Sequence, residues 1–398
     1  MALSGLGSIK SIGSDVRLTI LMDQIPFNRA DISEMDRCFI SKSIDNGHVS
    51  GNGSFGKLAE KFFETSLLVR RSLITTSCTH ALEMCALLLN LKDDDEVIVP
   101  SFTFVSTASA FLMHGAKPVF VDVDDATLNI DAKNIEAAIT PRTRAVCIVH
   151  YAGIAVDLDE IQKVCNKYGI VLIEDNAHGL FSTYKGKSLG SFGSLATLSF
   201  HETKNITCGE GGSLLINDDS LIERAEILRE KGTDRSRFLR GQVDKYTWVE
   251  IGSSWVISDI LAAILMSQLE RSDEIQRKRK FVFDFYDREL SSWAMNNGFR
   301  CPIVPEYCQH SSHMYFMRLH GIDQRDRFIS HLKSLGISAV FHYQPLHLSQ
   351  VGKALGGELG QCPISEEAGD CLVRLPLFSL LNETQLERIA SAVTSFLG

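Results

Sequence analysis

The fold of this chain is decided by the stretch Gly169-Ile170-Val171-Leu172-Ile173-Glu174-Asp175-Asn176-Ala177-His178-Gly179. An apolar run ends there in two acids, and small residues follow. A short continuous apolar run of this kind is typical of a strand buried on both faces, as in parallel sheets. Because α/β sheets place their sites just beyond such strands, the stretch predicts an α/β fold and a site that begins at Asp175.

Similar runs flank this stretch between about residues 73 and 216 and alternate with helical patterns. They are Glu96-Val97-Ile98-Val99, Val119-Phe120-Val121-Asp122, Ala145-Val146-Cys147-Ile148-Val149, Leu195-Ala196-Thr197-Leu198-Ser199 and Ser213-Leu214-Leu215-Ile216. Strands that alternate with helices predict a three-layer domain with a mainly parallel sheet. A helical pattern at 258–279 leads out of it.

The remaining sequence predicts a second, smaller domain, since 398 residues are long for one hydrophobic core. A strand-like pattern at 314–319 and helical patterns at 323–335 and 382–396 indicate an α+β arrangement. We place a Gly- and Ser-rich N-terminal extension at 1–22, the large α/β domain at 23–270 and the small domain at 271–398.

Composition narrows the classes of partner. The net charge of −9 argues against nucleic acid and anionic membranes as partners, but still allows an anionic small substrate. No apolar run approaches the ~20 residues of a membrane span. The ten cysteines form no C-x-x-C pair, which argues against a zinc site and favours free thiols in a reducing compartment. We therefore expect a cytoplasmic protein without a metal.

Lys204 follows the predicted strand that ends at Ser199 and precedes the turn Gly209-Glu210-Gly211-Gly212. A pyridine aldehyde cofactor needs a lysine to form a Schiff base with it, and a carboxylate to keep its ring nitrogen protonated. Lys204 and Asp175 offer both groups. The glycines allow a ligand to approach the backbone closely, and desolvation there would lower the pKa of the lysine. The competing interpretations are a solvated lysine and an aspartate that caps the next helix.

Further residues have the chemistry that such a cofactor requires. A helix that begins near Thr79, with Ser77 or Thr79 as its N-cap, would offer N–H groups to a phosphate. Phe104 could stack on the ring, Ala177 is small enough for the other ring face, and Ser199 could donate its hydroxyl to the phosphate. Each has a commoner structural interpretation, namely a capped helix or a core side chain. Their order along the chain favours the cofactor site.

These residues resemble the DegT/DnrJ/EryC1/StrS family, which are fold-type I aminotransferases that act on nucleotide-linked keto sugars. The resemblance runs from about Ile25 to Phe378. The motifs that carry it are Ser50-Gly51-Asn52-Gly53, Pro100-Ser101-Phe102-Thr103-Phe104, Val149-His150-Tyr151-Ala152-Gly153, Glu174-Asp175 and Gly209-Glu210-Gly211-Gly212. It implies pyridoxal 5′-phosphate as the cofactor and a homodimer with its active site at the subunit interface.

Four segments look most like the family members that make one particular amino sugar. They are 199–205, 232–236, 240–248 and 341–347. The resemblance implies transfer of the amino group of L-glutamate to C4 of dTDP-4-dehydro-6-deoxy-D-glucose. The product would be dTDP-4-amino-4,6-dideoxy-D-galactose, a precursor of bacterial surface polysaccharide such as enterobacterial common antigen.

The resemblance also implies a role for each matching residue. Lys204 would form the Schiff base, and Asp175 would pair with the ring nitrogen. The other implied cofactor contacts are Phe104 and Ala177 on the ring faces, Cys78, Thr79 and Ser199 at the phosphate, and His178 near the phenolic oxygen or the sugar. The implied substrate contacts are Gly51, Asn52, His342, Tyr343 and His347. Many family members carry an asparagine that reaches the partner's cofactor phosphate at the position of Val256, which cannot make that hydrogen bond.

Three alternatives stay open. The amine could be transferred to another carbon, such as C3, or to a different nucleotide-linked keto sugar. A related sugar dehydratase uses the same cofactor, but members of that branch carry histidine at the lysine position, so Lys204 argues against it. A non-catalytic sensor or scaffold of the same fold is disfavoured by the intact pair of Asp175 and Lys204.

Overall fold

Seven strands form a central, mainly parallel sheet in the computed structural model, which describes residues 24–397. Its order is β1-β9-β8-β5-β4-β2-β3, and β6 and β7 form a hairpin outside it. The first nine strands are β1 (Arg71–Thr75), β2 (Glu96–Pro100), β3 (Lys117–Val121), β4 (Thr143–Val149), β5 (Val171–Asp175), β6 (Thr183–Tyr184), β7 (Lys187–Ser188), β8 (Leu195–Ser199) and β9 (Gly212–Ile216). The predicted α/β sheet is confirmed, and its edge strand β1 was missed by the sequence analysis.

Strand β9 runs antiparallel to both of its neighbours, β8 and β1. Ser199 at the end of β8 pairs with Gly212 at the start of β9, so the chain reverses between them. A parallel pairing would have needed a crossover, which is usually a helix. Since β8 is parallel to β5, this reversal holds Lys204 at the sheet edge where β5 ends in Asp175.

Helices cover both faces of the sheet. They are α1 (Glu34–Asp45), α2 (Ser54–Leu67), α3 (Cys78–Leu88), α4 (Ser106–Leu112), α5 (Ala132–Ala138), α6 (Leu158–Tyr168), α7 (Ile222–Arg229), α8 (Arg235–Leu239) and α9 (Asp259–Glu270). Successive residues of β9 point to opposite faces, so Leu214 packs in the cluster with α3, and Leu215 packs in the cluster with α2 and α9. This alternation produces the three layers.

The C-terminal part contains a separate three-stranded antiparallel sheet. Its order is β11-β13-β12. The elements of this part are α10 (Ser272–Asn296), β10 (Cys308–Gln309), β11 (Tyr315–Arg318), α11 (Ile322–Ser334), β12 (Val340–Phe341), α12 (Gln350–Ala354), α13 (Pro363–Cys371), β13 (Leu372–Leu375) and α14 (Glu383–Thr394). The predicted strand at 314–319 and the helices at 323–335 and 382–396 are confirmed, with ends that differ by one or two residues.

The predicted helical pattern at 258–279 is confirmed, but it consists of two helices that are separated at Arg271. Helix α9 ends at Glu270, and α10 begins at Ser272. Arg271 between them has φ −105° and ψ 10°, and its guanidinium donates to the carbonyl of Asp31 and to the carboxylate of Asp36. These contacts fix Arg271 against the N-terminal end of α1. The break between α9 and α10 lies at this residue.

The N-terminal residues of the described range pack on the C-terminal part. Ile25 pairs with Ile337 and lies in the core formed by α10, β11, β13 and α14. The domain limits 23–270 and 271–398 remain a prediction. The predicted extension 1–22 lies outside the described residues. No helix within residues 24–397 is long and apolar enough to cross a membrane.

Candidate active site

A cavity of about 550 Å³ lies at the carboxyl edge of the central sheet. Val149, Asp175 and Ser199, the last residues of the parallel strands β4, β5 and β8, line it. Residues of the C-terminal part close the other side. The residues of the sequence-based prediction that line this cavity are Cys78, Thr79, Phe104, Asp175, Ala177, His178, Ser199, Lys204, His342 and Tyr343.

Asp175 is held in place by two donors. The Thr107 hydroxyl donates to Oδ2 at 2.8 Å, and the Ala177 N–H donates to Oδ1 at 3.2 Å. Burial raises the pKa of the Asp175 carboxyl, and these two hydrogen bonds oppose the rise. A buried carboxylate in this setting gains most from a positively charged partner, such as a protonated ring nitrogen. Thr107, in the first turn of α4, was not predicted as a site residue from the sequence.

Lys204 lies in the turn after β8, where its N–H donates to the carbonyl of His201 at 2.9 Å. Burial lowers the pKa of Lys204 to about 8, against the opposing effects of Cys78 and Asp175. A larger share of this amine is therefore neutral near physiological pH than in a solvated lysine. A neutral amine is the nucleophile that Schiff-base formation needs. The predicted effect of desolvation is confirmed.

The N-terminus of α3 faces the cavity beside Ser199. Ser77 is its N-cap, with its side chain accepting from the N–H of His80 at 3.1 Å. The N–H groups of Cys78 and Thr79 have no acceptor within the helix, because they belong to its first turn. Gly212, at the start of β9, allows the N-terminus of α3 to pack close to the sheet, since a Cβ there would lie 2.3 Å from the Cys78 nitrogen. The arrangement can hold a phosphate.

Phe104 and Ala177 line the same cavity as the α3 N-terminus and Lys204. Phe104 is 56% exposed, although the residues that lead to it from the end of β2 are buried. The alternative that Phe104 is a core side chain is therefore wrong. Its ring and the small Ala177 side chain are available to the two faces of a flat ligand.

Three histidines form one wall of the cavity: His178, His313 and His342. The rings of His178 and His313 stack with centroids 4.3 Å apart. Nδ1 of His313 is 2.8 Å from Asn205 Oδ1, and Nδ1 of His342 is 2.9 Å from the Tyr151 hydroxyl. Burial lowers the pKa of all three histidines well below the ordinary value, so the wall is neutral. Nδ1 of His178 is buried without a hydrogen-bond partner in the described structure, so it is available to a polar ligand atom.

Three predicted substrate contacts lie outside this cavity. A Cβ on Gly51 would lie 2.3 Å from Cγ1 of Val256, so Gly51 allows close packing there. The Asn52 side chain donates to Glu230 and accepts from Arg229. The ring nitrogens of His347 are engaged, with Nδ1 2.5 Å from the hydroxyl of Ser101 and Nε2 2.9 Å from the carboxylate of Glu366. Their roles toward a substrate remain predictions.

Among the other lining residues that were missed as candidates are an aromatic ring and a cation, Phe27 and Arg374. Phe27 lies in the N-terminal segment, and Arg374 lies in β13. Both lie near the ends of the span from Ile25 to Phe378 that carries the family resemblance. Their contribution to the cavity depends on how the C-terminal part packs against the sheet, which no local pattern reveals.

The fold and the site together define a fold-type I aminotransferase that depends on pyridoxal 5′-phosphate. The residues present fit this cofactor: Lys204 for its aldehyde, Asp175 for its ring nitrogen and the open N–H groups of α3 for its phosphate. A model of the DegT/DnrJ/EryC1/StrS aminotransferase family matches residues 31–394. The chain belongs to this family.

Known proteins agree with this assignment. The uncharacterized protein MJ1066 of Methanocaldococcus jannaschii is 34% identical over 342 residues, which cover 84% of this chain and 88% of that protein. The PMP-form of Spr1654 from Streptococcus pneumoniae has a TM-score of 0.87 and 28% identity, and covers 93% of this chain and 98% of its own. The PLP-form of Spr1654 is also a structural neighbour. Helicobacter pylori PseC, an aminotransferase involved in the biosynthesis of pseudoaminic acid, has a TM-score of 0.84 and 27% identity, and covers 93% of this chain and 98% of its own.

Proposed function

We propose that this enzyme is a dTDP-4-amino-4,6-dideoxygalactose transaminase. It transfers the amino group of L-glutamate to C4 of dTDP-4-dehydro-6-deoxy-D-glucose, and 2-oxoglutarate leaves. The product serves a bacterial surface polysaccharide such as enterobacterial common antigen. The observation that carries the proposal is the buried pair of Asp175 and Lys204 beside the open N-terminus of α3. The choice of sugar is supported by the resemblance of the segments 199–205, 232–236, 240–248 and 341–347.

Asp175 and Thr107 act on the ring end of the cofactor. When bound, pyridoxal phosphate supplies an aldehyde that takes up the amine and a ring that spreads negative charge away from the reacting carbon. The carboxylate of Asp175 keeps the proton on the ring nitrogen. Thr107, which donates to Oδ2 of Asp175, fixes the orientation of that carboxylate.

Lys204 moves protons in both half-reactions. After the donor has displaced it, its Nζ takes the proton from the α-carbon of glutamate. In the second half-reaction it delivers a proton to C4 of the sugar. A pKa of about 8 suits both tasks, because the amine can be neutral or protonated near neutral pH. The neutral histidine wall limits the number of competing charges around it.

A homodimer completes this proposal. The segment after α7 exposes large apolar side chains, which are Phe238, Leu239, Tyr246, Trp248, Val249 and Ile251. A contiguous exposed apolar segment is typical of a protein–protein interface. Asn52 is bonded to Glu230 at the start of this segment. We propose that Gly51 and Asn52 face the partner's cavity, which would explain why they lie outside the cavity of their own subunit.

The test is a product analysis. Purified holoenzyme is incubated with dTDP-4-dehydro-6-deoxy-D-glucose and ¹⁵N-labelled L-glutamate, and the nucleotide sugar is examined by NMR. The expected product carries ¹⁵N on C4 in the axial, galacto configuration. An equatorial amine at C4 would assign the gluco product from the same substrate. Transfer only to a keto group at C3 of another nucleotide sugar would assign a different substrate within the family. A product that has lost a hydroxyl group without gaining nitrogen would indicate a dehydratase.

A further inference from the structure

Arg374 is a buried cation without an acidic partner. Strand β13 directs its side chain into the cavity wall, and the guanidinium makes no hydrogen bond or ion pair with any residue from 24 to 397. Its Nε is buried without an acceptor. Burial lowers the pKa of Arg374. A charge held this way costs free energy unless an anion binds to it.

The guanidinium packs over the ring of Phe27. Its central carbon lies 4.7 Å from the centroid of the Phe27 ring. Phe27 is placed by its neighbours, since Ile25 pairs with Ile337 and the Asn28 side chain donates to the carbonyl of Glu202 at 2.9 Å. With its central carbon over the ring, the guanidinium still has no acceptor for its N–H groups among residues 24–397. Two of those groups match the two oxygens of a carboxylate.

The described surroundings offer no anion to Arg374. The lining carboxylates are Asp175, which accepts from Thr107 and Ala177, and Glu210, which lies beside His201. The groups with which Arg374 interacts electrostatically are amines, imidazoles and phenols: Lys204, His178, His313, His342, Tyr151 and Tyr343. Burial raises the pKa of both phenols, so they remain neutral. The missing anion must come from a ligand.

The position of Arg374 favours a substrate anion over the cofactor phosphate. The phosphate seat is the N-terminus of α3 on the sheet side, whereas Arg374 lies in β13 of the C-terminal part, and its charge helps to lower the pKa of Lys204. The donor's amine must reach the aldehyde that Lys204 also reaches, and the α-carboxylate is attached to the same carbon as that amine. In a nucleotide sugar, by contrast, the hexose ring separates C4 from the diphosphate.

We propose that Arg374 binds the α-carboxylate of the amino donor through two of its N–H groups, with Phe27 packed against the guanidinium. This inference rests on the proposed function only in requiring an amino-acid donor. Arg374 then recognises a group that all α-amino acids share, and residues other than Arg374 contact the donor's side chain. An amine without an α-carboxylate should react poorly.

The test separates the two half-reactions in the holoenzyme. The PLP-form of Arg374→Gln is titrated with α-methyl-L-glutamate, which keeps the amine and the α-carboxylate but has no α-hydrogen to lose, and binding is read from the cofactor absorbance. Single-turnover reactions then give the half-saturating concentrations of L-glutamate with the PLP-form and of the keto sugar with the PMP-form. We expect the glutamate and α-methyl-glutamate values to rise about 10- to 100-fold, as for the loss of a charged hydrogen bond, and the sugar value to stay within about twofold.

Two further variants control this experiment. Arg374→Lys keeps the charge but loses the pair of N–H groups that can donate to both oxygens of a carboxylate, so it should recover only part of the glutamate affinity. Arg318→Gln removes a buried guanidinium from the neighbouring strand β11, where it is paired with Asp125 and Glu367. This variant should leave both half-saturating concentrations unchanged even if its melting temperature falls.

Each remaining outcome overturns the inference. Weakened sugar binding with normal glutamate binding would place the sugar's diphosphate at Arg374. Unchanged values in both half-reactions would give Arg374 a structural role only. An equal loss in both, together with weaker retention of the cofactor, would place its effect on the cofactor. If the wild-type enzyme fails to aminate the dTDP-sugar, the proposed function fails, but the binding test with α-methyl-L-glutamate still decides the role of Arg374.

Discussion

The two walls of the cavity differ in how one charged side chain on each is satisfied. On the sheet side, Asp175 accepts from Thr107, and Thr79 and Ser106 share a hydrogen bond of 2.8 Å. On the side of the C-terminal part, the guanidinium of Arg374 packs over Phe27 but has no hydrogen-bond or ion-pair partner among residues 24–397. The sheet wall therefore holds its carboxylate in place before a ligand binds, whereas the opposite wall leaves a cation for the anion of a ligand. We therefore assign chemistry to the first wall and donor recognition to the second.

Lys204→Ala should have the largest effect, because it removes the anchor and the proton carrier of the sheet wall together. We expect turnover to fall by roughly 10⁴-fold or more, and the absorbance of the lysine-bound cofactor to disappear. Steady-state assays and absorbance spectra measure both. Lys353→Ala, an exposed lysine in α12, is the matched control and should behave as the wild type. Full activity of Lys204→Ala would remove the basis for assigning chemistry to this wall.

Asp175→Asn should come next. The variant keeps the shape of the side chain but loses the charge that holds the proton on the ring nitrogen. We expect it to retain some cofactor and to lose about 10²- to 10³-fold in the single-turnover rate. An unchanged rate would mean that the ring nitrogen needs no charged partner, and the sheet wall would then serve only for binding.

The pH dependence of cofactor capture tests whether the two walls are coupled. The pKa of Lys204 is lowered to about 8, so the neutral amine predominates above that pH and falls about tenfold per pH unit below it. The rate at which the apoenzyme captures pyridoxal phosphate, followed by absorbance, should rise with pH and level off above about 8. Because the positive charge of Arg374 helps to lower this pKa, Arg374→Gln should move the midpoint upward. A wild-type rate that keeps rising to pH 10 would contradict the lowered pKa.

Thr107→Val should have the smallest effect. It removes one donor to Asp175 while leaving the carboxylate in place, so we expect about a tenfold loss of rate. The hydroxyl also contacts Thr103 at 2.9 Å, so melting temperatures must be compared. Thr107→Ser keeps the hydroxyl and should restore the rate. If a loss of stability without a change in rate were found, Thr107 would be a packing residue and not a positioning residue.

The sequence predicted the sheet wall well, because its signals are local. Asp175 and Lys204 each lie directly beyond a continuous apolar strand, and Ser77 precedes a regular helical pattern. The strand β1 was missed because it begins with the polar residues Arg71 and Ser72 and lies at the sheet edge. The antiparallel direction of β9 depends on the reversal after Ser199, which a list of strands does not specify.

The opposite wall could not be predicted from local patterns. Arg374 and His313 reach the cavity only because the C-terminal part packs against the sheet, and Phe27 because the N-terminal segment pairs with residue 337. Nothing in the spacing of Thr107 relates it to Asp175, since the two meet through the fold. His347 was expected to contact substrate, but in the structure both of its ring nitrogens have protein partners.

We propose that Lys204 of the sheet wall carries the cofactor. Treating the holoenzyme with borohydride, digesting it and sequencing the peptides by mass spectrometry shows directly which lysine holds it. We expect one stable pyridoxyl group, attached to Nζ of Lys204, and its absence in Lys204→Ala. Attachment to a different lysine, or a holoenzyme in which no lysine is labelled, would show that Lys204 does not carry the cofactor.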